Sequence, residues 1–190
     1  MLELKVDLAN RELLIEYGAV PIEFYVETEY KVIPVENGLG GLVLEEVKPE
    51  LPYWVDHDAG EAPEEWWNTW DMSRWGVISA FIKGQRIGGG IVAYDTPGIE
   101  LLRERSDLGL LWDLRVAEAY RQQGIGTQIF QACAAWARQQ GLKQLKIETQ
   151  TYNIAACKFY AKQGAVLGTI DCYAYPQLPR IKQLIWYYDL

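Results

Sequence analysis

Short apolar runs and amphipathic segments alternate along the second half of the chain. Four apolar or β-rich runs predict strands, at residues 110–116, 143–149, 165–170 and 183–188. After the first run, an apolar stripe that includes Ile125 and Trp136 predicts a helix over residues 125–140. Asn153 is a suitable N-cap for a further helix that ends near residue 163. This succession of strands and helices predicts a mixed α/β fold.

The first half of the chain has weaker patterns. Residues 10–18 have helical character, and the β-rich stretches at 23–34 and 41–47 predict an early hairpin. The stretch 48–71 is rich in Pro, Asp, Glu and Trp, which predicts a long irregular loop or a short helix near residues 63–70.

A second hairpin is predicted by two strand-like runs, Gly76–Ile82 and Ile87–Tyr94, that flank four turn residues. Three consecutive glycines at residues 88–90 fall within the second run. They indicate either that another part of the molecule approaches this strand closely or that the strand contains a bulge.

Length and composition predict one globular domain, because 190 residues with 49% apolar and 23% charged side chains fill a single core. The acidic N-terminal segment lacks the features of a signal peptide, and every apolar run is too short to cross a bilayer. A cytoplasmic protein without a membrane partner is therefore expected. The three cysteines are widely spaced and lack a neighbouring histidine, so we expect reduced core cysteines and no metal.

Charge is distributed unevenly along the chain. Residues 1–71 carry 4 Lys/Arg and 17 Asp/Glu, whereas residues 72–190 carry 14 and 9, within a net charge of −8. A basic half suits a phosphate-bearing ligand, and an acidic half favours a cationic one. Alternatively, the acids only keep the N-terminal surface soluble. Nucleic acid is a poor candidate for a partner, since no basic cluster is interleaved with aromatics.

The segment RQQGIGT at residues 121–127 lies between a predicted buried strand and an amphipathic helix. Helix-terminal amides and the helix dipole favour a phosphate there, and Gly124 and Gly126 let it approach the backbone. A P-loop would require Gly-Lys-Ser/Thr, and a dinucleotide fingerprint would require a third glycine. Neither is present, so the segment predicts a phosphate cradle of another type.

The order strand, RxxGxG, helix resembles the pyrophosphate cradle of the GNAT superfamily. A second GNAT-like element follows at residues 148–165, ETQTYNIAACKFYAKQGA. Similarity to the streptothricin acetyltransferase group rests on that run and on four shorter segments: LGTIDCYAY at 167–175, IWYY at 185–188, LEEV at 44–47 and WDL at 112–114. Together these motifs cover most of residues 20–190.

The chain also departs from the family pattern at three positions. Trp112 stands where an acid is expected beside Asp113, and Gln123 replaces a glycine that is frequent before GxG. Ala165 replaces the usual aromatic after Gly164. The Trp112 departure bears on the identity of the substrate.

The resemblance implies a GNAT fold, in which helices flank a mixed sheet of about six or seven strands. The sheet would be splayed between the strands at 110–116 and 143–149. Residues 1–190 would form one acetyltransferase domain, with an acceptor-side half at 1–109 and an acetyl-CoA-binding half at 110–190.

The implied activity is N-acetyl transfer from acetyl-CoA to a primary amine of a small, cationic molecule, by direct attack on the thioester. Streptothricin is the acceptor that the resemblance suggests. The alternatives are another amine (a polyamine, an aminoglycoside or a peptide N-terminus) or a non-catalytic acyl-CoA sensor. Resemblance to a resistance enzyme does not establish antibiotic resistance as the biological role. The oligomeric state is left open, with a homodimer as one alternative.

The resemblance also assigns residues that bind acetyl-CoA. Those predicted to do so are Leu114, Arg115, Val116, Arg121, Gln122, Gln123, Gly124, Ile125, Gly126, Thr127, Asn153, Ala156 and Tyr160. Backbone amides near Leu114 to Val116 would stabilise the developing oxyanion. Asn153 is at the same time a predicted helix N-cap.

Acetylation of an amine requires a base for the ammonium and an acid for the departing thiolate. Tyr160 is the predicted acid by resemblance, and a buried core tyrosine is the alternative. Asp113 and Glu148 are the candidate bases. Of the two, Asp113 is the preferred base, and a structural pair with Arg115 is the alternative for it. Glu148 can instead position the amine or relay its proton through water.

Two further features have competing interpretations. The tryptophans at residues 66, 67, 70 and 75 lie among acids and suit either an aromatic mouth for an organic cation or plain core. His57 is the only histidine, and its acidic loop predicts a solvated side chain rather than a catalytic one.

Overall fold

A computed structural model describes all 190 residues. It contains eleven strands and four α-helices. In chain order these are β1 Leu2–Leu8, α1 Arg11–Gly18, β2 Glu23–Val26, β3 Glu29–Pro34, β4 Leu42–Val47, β5 Tyr53–Asp56, α2 Pro63–Thr69, β6 Gly76–Ile82, β7 Gln85–Tyr94, β8 Leu108–Val116, α3 Ile125–Gln139, β9 Gln144–Gln150, α4 Ile154–Lys162, β10 Val166–Asp171 and β11 Gln183–Asp189.

Seven strands form one sheet in the order β1-β6-β7-β8-β9-β11-β10, and two small sheets pair β2 with β5 and β3 with β4. The predicted mixed α/β class and the number of strands in the central sheet are confirmed. The helices over 125–140 and 154–163 are also confirmed to within a residue or two. The predicted splay at β8 and β9 stays a prediction.

Both predicted hairpins are present. β3 and β4 pair antiparallel from Glu29 opposite Val47 to Pro34 opposite Leu42. β6 and β7 pair through a turn of only two residues, Lys83 and Gly84, both with positive φ. Two successive positive φ values are typical of the tight turns that match strand twist, so this loop is shorter than the four residues predicted.

Two strands escaped prediction. β1 has strictly alternating residues, LELKVDL, and pairs antiparallel with β6 at the edge of the central sheet. Its period of two is a strand signal that the acids within it masked. β5 lies inside the stretch that composition predicts to be a loop. The short helix in that stretch is confirmed as α2, whose first residue is Pro63.

The three glycines of β7 accommodate close neighbours, and β7 also has a bulge at Ile87 directly before them, so both alternatives hold. A Cβ at Gly89 would lie 2.4 Å from the carbonyl oxygen of Ile78 and 2.7 Å from the ring of Tyr17. A Cβ at Gly90 would lie 2.6 Å from Sγ of Cys133 in α3. The absence of side chains therefore lets α1 and α3 pack directly on opposite faces of the strand.

Contacts group the chain into two compact units, which are described separately below. The first unit is Met1–Glu23, Asp56–Lys146 and Asp189–Leu190, and the second unit is Phe24–Val55 and Ile147–Tyr188. Neither unit ends at residue 109, and the single-domain organisation stays a prediction. None of the helices has the length and apolar character that crossing a membrane requires.

Candidate functional site

The predicted phosphate cradle begins α3 in the first unit. Gly124 takes the N-cap position with φ +78°, and no side chain caps the helix. The first amides of a helix have no acceptor within the helix, so those that follow Gly124 require one from elsewhere. A Cβ at Gly124 would meet nothing within 4 Å. An uncapped helix start beside open space fits a phosphate.

Two side chains that precede Gly124 support the loop itself. Arg121 Nε donates to the carbonyl oxygen of Val116 at 2.8 Å, and its Nη2 donates to that of Glu23 at 3.3 Å. Gln123 Nε2 donates to the carbonyl oxygen of Ala119 at 3.0 Å. Arg121 therefore ties the cradle to the end of β8, and its predicted contact with acetyl-CoA stays a prediction.

The backbone of β8 presents amides along the edge that faces away from β7. The amide of Ala117 donates to the carbonyl oxygen of Ile87 at 2.8 Å, and Arg115 lies opposite Gly89. Amides alternate in direction along a strand, so those of Leu114 and Val116 point to the other edge. This is the orientation that the predicted oxyanion contact requires.

Asp113 and Arg115 form the structural pair that was one of the alternatives. Arg115 Nε donates to Asp113 Oδ1 at 3.0 Å, and Nη2 donates to Oδ2 at 2.9 Å. The same guanidinium binds both carboxylate oxygens of Asp58, at 2.8 and 2.9 Å, and the carbonyl oxygen of Val20. Tyr17 Oη also donates to Asp113 Oδ1. We call these four side chains, of Tyr17, Asp58, Asp113 and Arg115, the arginine clamp.

The side chains of the arginine clamp are largely buried, which strengthens the attraction between their opposite charges. Side-chain exposure is 1% for Arg115, 8% for Asp113 and 19% for Asp58. Burial alone would lower the pKa of Arg115, but its contacts with Asp113 and Asp58 raise it, so the guanidinium stays charged. Burial and then the charge of Asp113 raise the pKa of Tyr17 well above its usual value, which keeps the phenol a neutral donor.

Strand β8 contains a bulge directly before Asp113. Ile91 pairs with Asp113 and Val92 with Leu111, so Trp112 is the extra residue. Its ring lies 5.9 Å from that of Trp66, 6.0 Å from Trp70 and 4.9 Å from Trp75. Because Trp66 and Trp75 are buried in the core of the first unit, the plain-core interpretation of this cluster holds for them. Of the four tryptophans, only Trp67 is exposed.

Glu148 lies in the second unit among polar partners. Tyr175 Oη donates to Glu148 Oε1, and Gln150 Nε2 donates to the same oxygen at 3.3 Å. Gln150 Nε2 also donates to Tyr175 Oη at 3.2 Å. Sequence reasoning missed Tyr175, although the LGTIDCYAY motif that contains it was recognised.

The start of α4 confirms the predicted cap. Asn153 Oδ1 accepts a hydrogen bond from the amide of Ala156 at 3.0 Å. The side-chain amide nitrogen of Asn153 carries two further donors, which suit the predicted contact with acetyl-CoA. Tyr160 is buried at 7% exposure, with its ring 5.1 Å from that of Phe159. Its predicted role as the acid stays a prediction.

His57 is exposed, in keeping with the expectation of a loop histidine. The partners Tyr17 and Asp58 were not predicted, because they are separated from Asp113 and Arg115 by 96 and 57 residues. The three cysteines are free, and Cys133 and Cys157 are buried as expected. Cys172 is only partly buried, so the prediction of a core position is wrong for it.

Residues 42–165 match the family model described as Acetyltransferase (GNAT) family. The chain belongs to the GNAT acetyltransferase family. Two curated relatives of this GNAT chain carry the name of the predicted group. Streptothricin acetyltransferase A of Bacillus subtilis (strain 168) is 37% identical over 81 residues, which are 42% of this chain and 47% of the relative. Streptothricin acetyltransferase of Escherichia coli is 32% identical over 93 residues, 47% of this chain and 53% of the relative.

The predicted resemblance is thereby confirmed, and the chain spans about half the length of the curated relatives it matches. Solved structures show the same GNAT fold over nearly the whole chain. A Bacillus anthracis str. Ames protein described as a streptothricin acetyltransferase, in complex with acetyl coenzyme A, has a TM-score of 0.76 at 20% identity, covering 99% of this chain and 100% of that chain. Nourseothricin acetyltransferase has a TM-score of 0.73 at 18% identity, covering 98% of both chains.

Proposed function

We propose that this GNAT protein transfers an acetyl group from acetyl-CoA to a primary amine of a small, cationic molecule. The observation that carries the proposal is the cradle at the start of α3, where an uncapped helix and open space above Gly124 suit a pyrophosphate. The family match and the Bacillus anthracis neighbour in complex with acetyl coenzyme A support the same cosubstrate.

Acetyl-CoA supplies an activated acetyl thioester, and each remaining task falls to the chain's own residues. Gln122, Gln123 and the amides of Gly124 to Thr127 would hold the pyrophosphate. The outward amides of Leu114 and Val116 would stabilise negative charge on the thioester oxygen as the amine attacks. Asn153 and Ala156, at the start of α4, would contact the coenzyme.

Two proton transfers complete the reaction. The neutral amine forms a C–N bond as the C–S bond breaks, and we assign Tyr160 to protonate the departing thiolate. The contacts favour Glu148 over Asp113 as the base. Asp113 already accepts three hydrogen bonds, two of them from a permanently charged guanidinium, whereas Glu148 is bound only by neutral groups.

The acceptor class follows from charge and from the relatives. Residues 1–71 carry a large excess of acids, which would attract a cationic acceptor. Both curated relatives reported above are named for streptothricin, so streptothricin is the first acceptor to offer. Polyamines, aminoglycosides and peptide N-termini are the alternatives. A resistance role would follow only from turnover of an antibiotic, and a cytoplasmic location fits the supply of acetyl-CoA.

The test compares Tyr160→Phe with the wild type, using streptothricin and the alternative amines in parallel. We expect acetyl-CoA binding to survive and kcat to fall by about 100-fold or more, since one positioned acid contributes about 10²–10⁴. Tyr25→Phe is the matched control, because Tyr25 is 48% exposed in the same unit. Wild-type kcat in Tyr160→Phe would contradict the acid assignment. Tight acetyl-CoA binding without turnover on any amine would favour the acyl-CoA sensor.

A further inference from the structure

Tyrosine side chains collect around Glu148 in the second unit. Tyr175 Oη donates to Glu148 Oε1, and Gln150 bridges the two groups at 3.2 and 3.3 Å. The amide of Tyr30 donates to the carbonyl oxygen of Thr151 at 2.8 Å, so the backbone next to Glu29 lies beside the backbone next to Tyr152. Burial, and then the neighbouring Tyr53 and Glu148, raise the pKa of Tyr152 to about 12. The ring of Tyr152 lies 6.1 Å from that of Phe24.

A second carboxylate, that of Glu29, is bound by another tyrosine of the same unit. Tyr53 Oη donates to Glu29 Oε2 at 3.1 Å. Burial and this hydrogen bond raise the pKa of Tyr53 to about 12, against the opposing charge of Arg180 and a hydrogen bond from it. We call this group of five residues the tyrosine cage. It consists of Glu29, Tyr53, Glu148, Tyr152 and Tyr175.

The chemistry of the tyrosine cage is that of a cation site. The raised pKa values keep the phenols neutral at physiological pH, so the negative charge of the cage resides on its carboxylates. Each carboxylate accepts from a phenol rather than from a lysine or arginine. All five side chains are only partly buried. Aromatic faces and a carboxylate attract an ammonium, and they do so more strongly when partly desolvated.

We propose that the tyrosine cage binds the alkylammonium group of the acceptor and so determines specificity for cationic amines. This inference rests on the proposed function and deepens it. Glu148 receives a proton from the bound ammonium and thereby leaves a neutral amine. Tyr175 and Tyr53 are positioning residues, because Tyr175 holds Glu148 and Tyr53 holds Glu29. Tyr152 would present its ring to the ammonium.

The kinetic test measures KM for the amine and for acetyl-CoA separately. In Tyr152→Leu we expect KM for a diamine such as 1,5-diaminopentane, or for streptothricin, to rise about 3- to 30-fold, the range for loss of a cation–π contact. KM for acetyl-CoA should stay within twofold. In Tyr175→Phe, loss of the donor that holds Glu148 should raise KM for the amine, while KM for acetyl-CoA again stays within twofold.

Tyr25→Leu is the matched control, since Tyr25 is an exposed tyrosine of the second unit outside the cage. A second measurement does not depend on turnover. Tetramethylammonium cannot be acetylated, and its binding is followed by saturation-transfer NMR, with circular dichroism to check folding. We expect binding to the wild type and to Tyr25→Leu, and weaker binding to folded Tyr152→Leu.

The outcomes separate this inference from the proposed function. If the wild type acetylates amines and folded Tyr152→Leu keeps the same amine KM, the cage is overturned while acetyl transfer stands. If the wild type acetylates no amine but binds tetramethylammonium in a Tyr152-dependent manner, acetyl transfer fails and the cation site stands. No tetramethylammonium binding to the wild type, together with unchanged KM values, overturns the cage.

Discussion

Replacing Arg115 with methionine removes the one cation of the arginine clamp and leaves two carboxylates beside each other. Asp113 is 8% exposed and Asp58 is 19% exposed, so neither can be solvated fully. Breaking a buried ion pair by deleting one partner costs about 3–5 kcal/mol. That loss is a large share of the roughly 5–15 kcal/mol by which a domain is stable.

The assay is equilibrium unfolding in urea. With a slope of about 2 kcal/mol per molar, Arg115→Met should lower the midpoint by about 2 M. The matched control is Arg74→Met, because Arg74 pairs with Asp95 at an exposed position where side-chain exposures are 61% and 50%. Such a surface pair is worth about 0–1 kcal/mol. Equal midpoint shifts in the two variants would refute the reasoning.

A double substitution tests the sign of the effect. If the cost of Arg115→Met arises from uncompensated carboxylates, then adding Asp58→Asn should restore part of the lost free energy of unfolding. In the wild-type background the same Asp58→Asn change should destabilise, because it removes a bidentate partner of the guanidinium. Further destabilisation of Arg115→Met by Asp58→Asn would show that the contacts, rather than the charges, dominate.

Two other predictions concern the cradle and the thiols. Gly124→Ala and Gly141→Ala both place a Cβ at φ near +80° in open space, so each should cost about 1–2 kcal/mol. Only Gly124→Ala should raise the Kd for acetyl-CoA, by about tenfold or more in calorimetry, and equal Kd values would argue against the cradle. Burial raises the pKa of Cys133, and burial raises that of Cys157 to about 11, so a thiol reagent at pH 8 should modify only Cys172 rapidly. Rapid modification of all three cysteines in the native protein would contradict the described burial.

Local sequence patterns were sufficient to predict the elements whose stabilising contacts lie within a few residues along the chain. The RxxGxG segment, α3 and the Asn153 cap each depend on neighbours within a few residues, and all are where the sequence predicts them. β1 also has a local signal, its strict alternation, which its charges obscured. β5 has no such signal, since four residues between turns have no resolvable period.

Contacts that join distant parts of the chain were not predictable. Asp113 and Arg115 are two residues apart, so their pairing was one of the alternatives drawn from the strand pattern. Tyr17 and Asp58 complete the same network from distances of 96 and 57 residues. Tyr175 reaches Glu148 across 27 residues. Such partners are fixed by tertiary packing, and a single sequence does not encode them in any local spacing.

Acetyl transfer to an amine is the central claim, and product analysis tests it most directly. The purified protein is incubated with acetyl-CoA and streptothricin or an alkyl diamine, and the acceptor is examined by mass spectrometry while coenzyme A is quantified chromatographically. We predict one acetyl group on the amine for each coenzyme A released, with no product when either substrate is omitted. An unmodified acceptor across all amines offered, despite bound acetyl-CoA, would contradict the account.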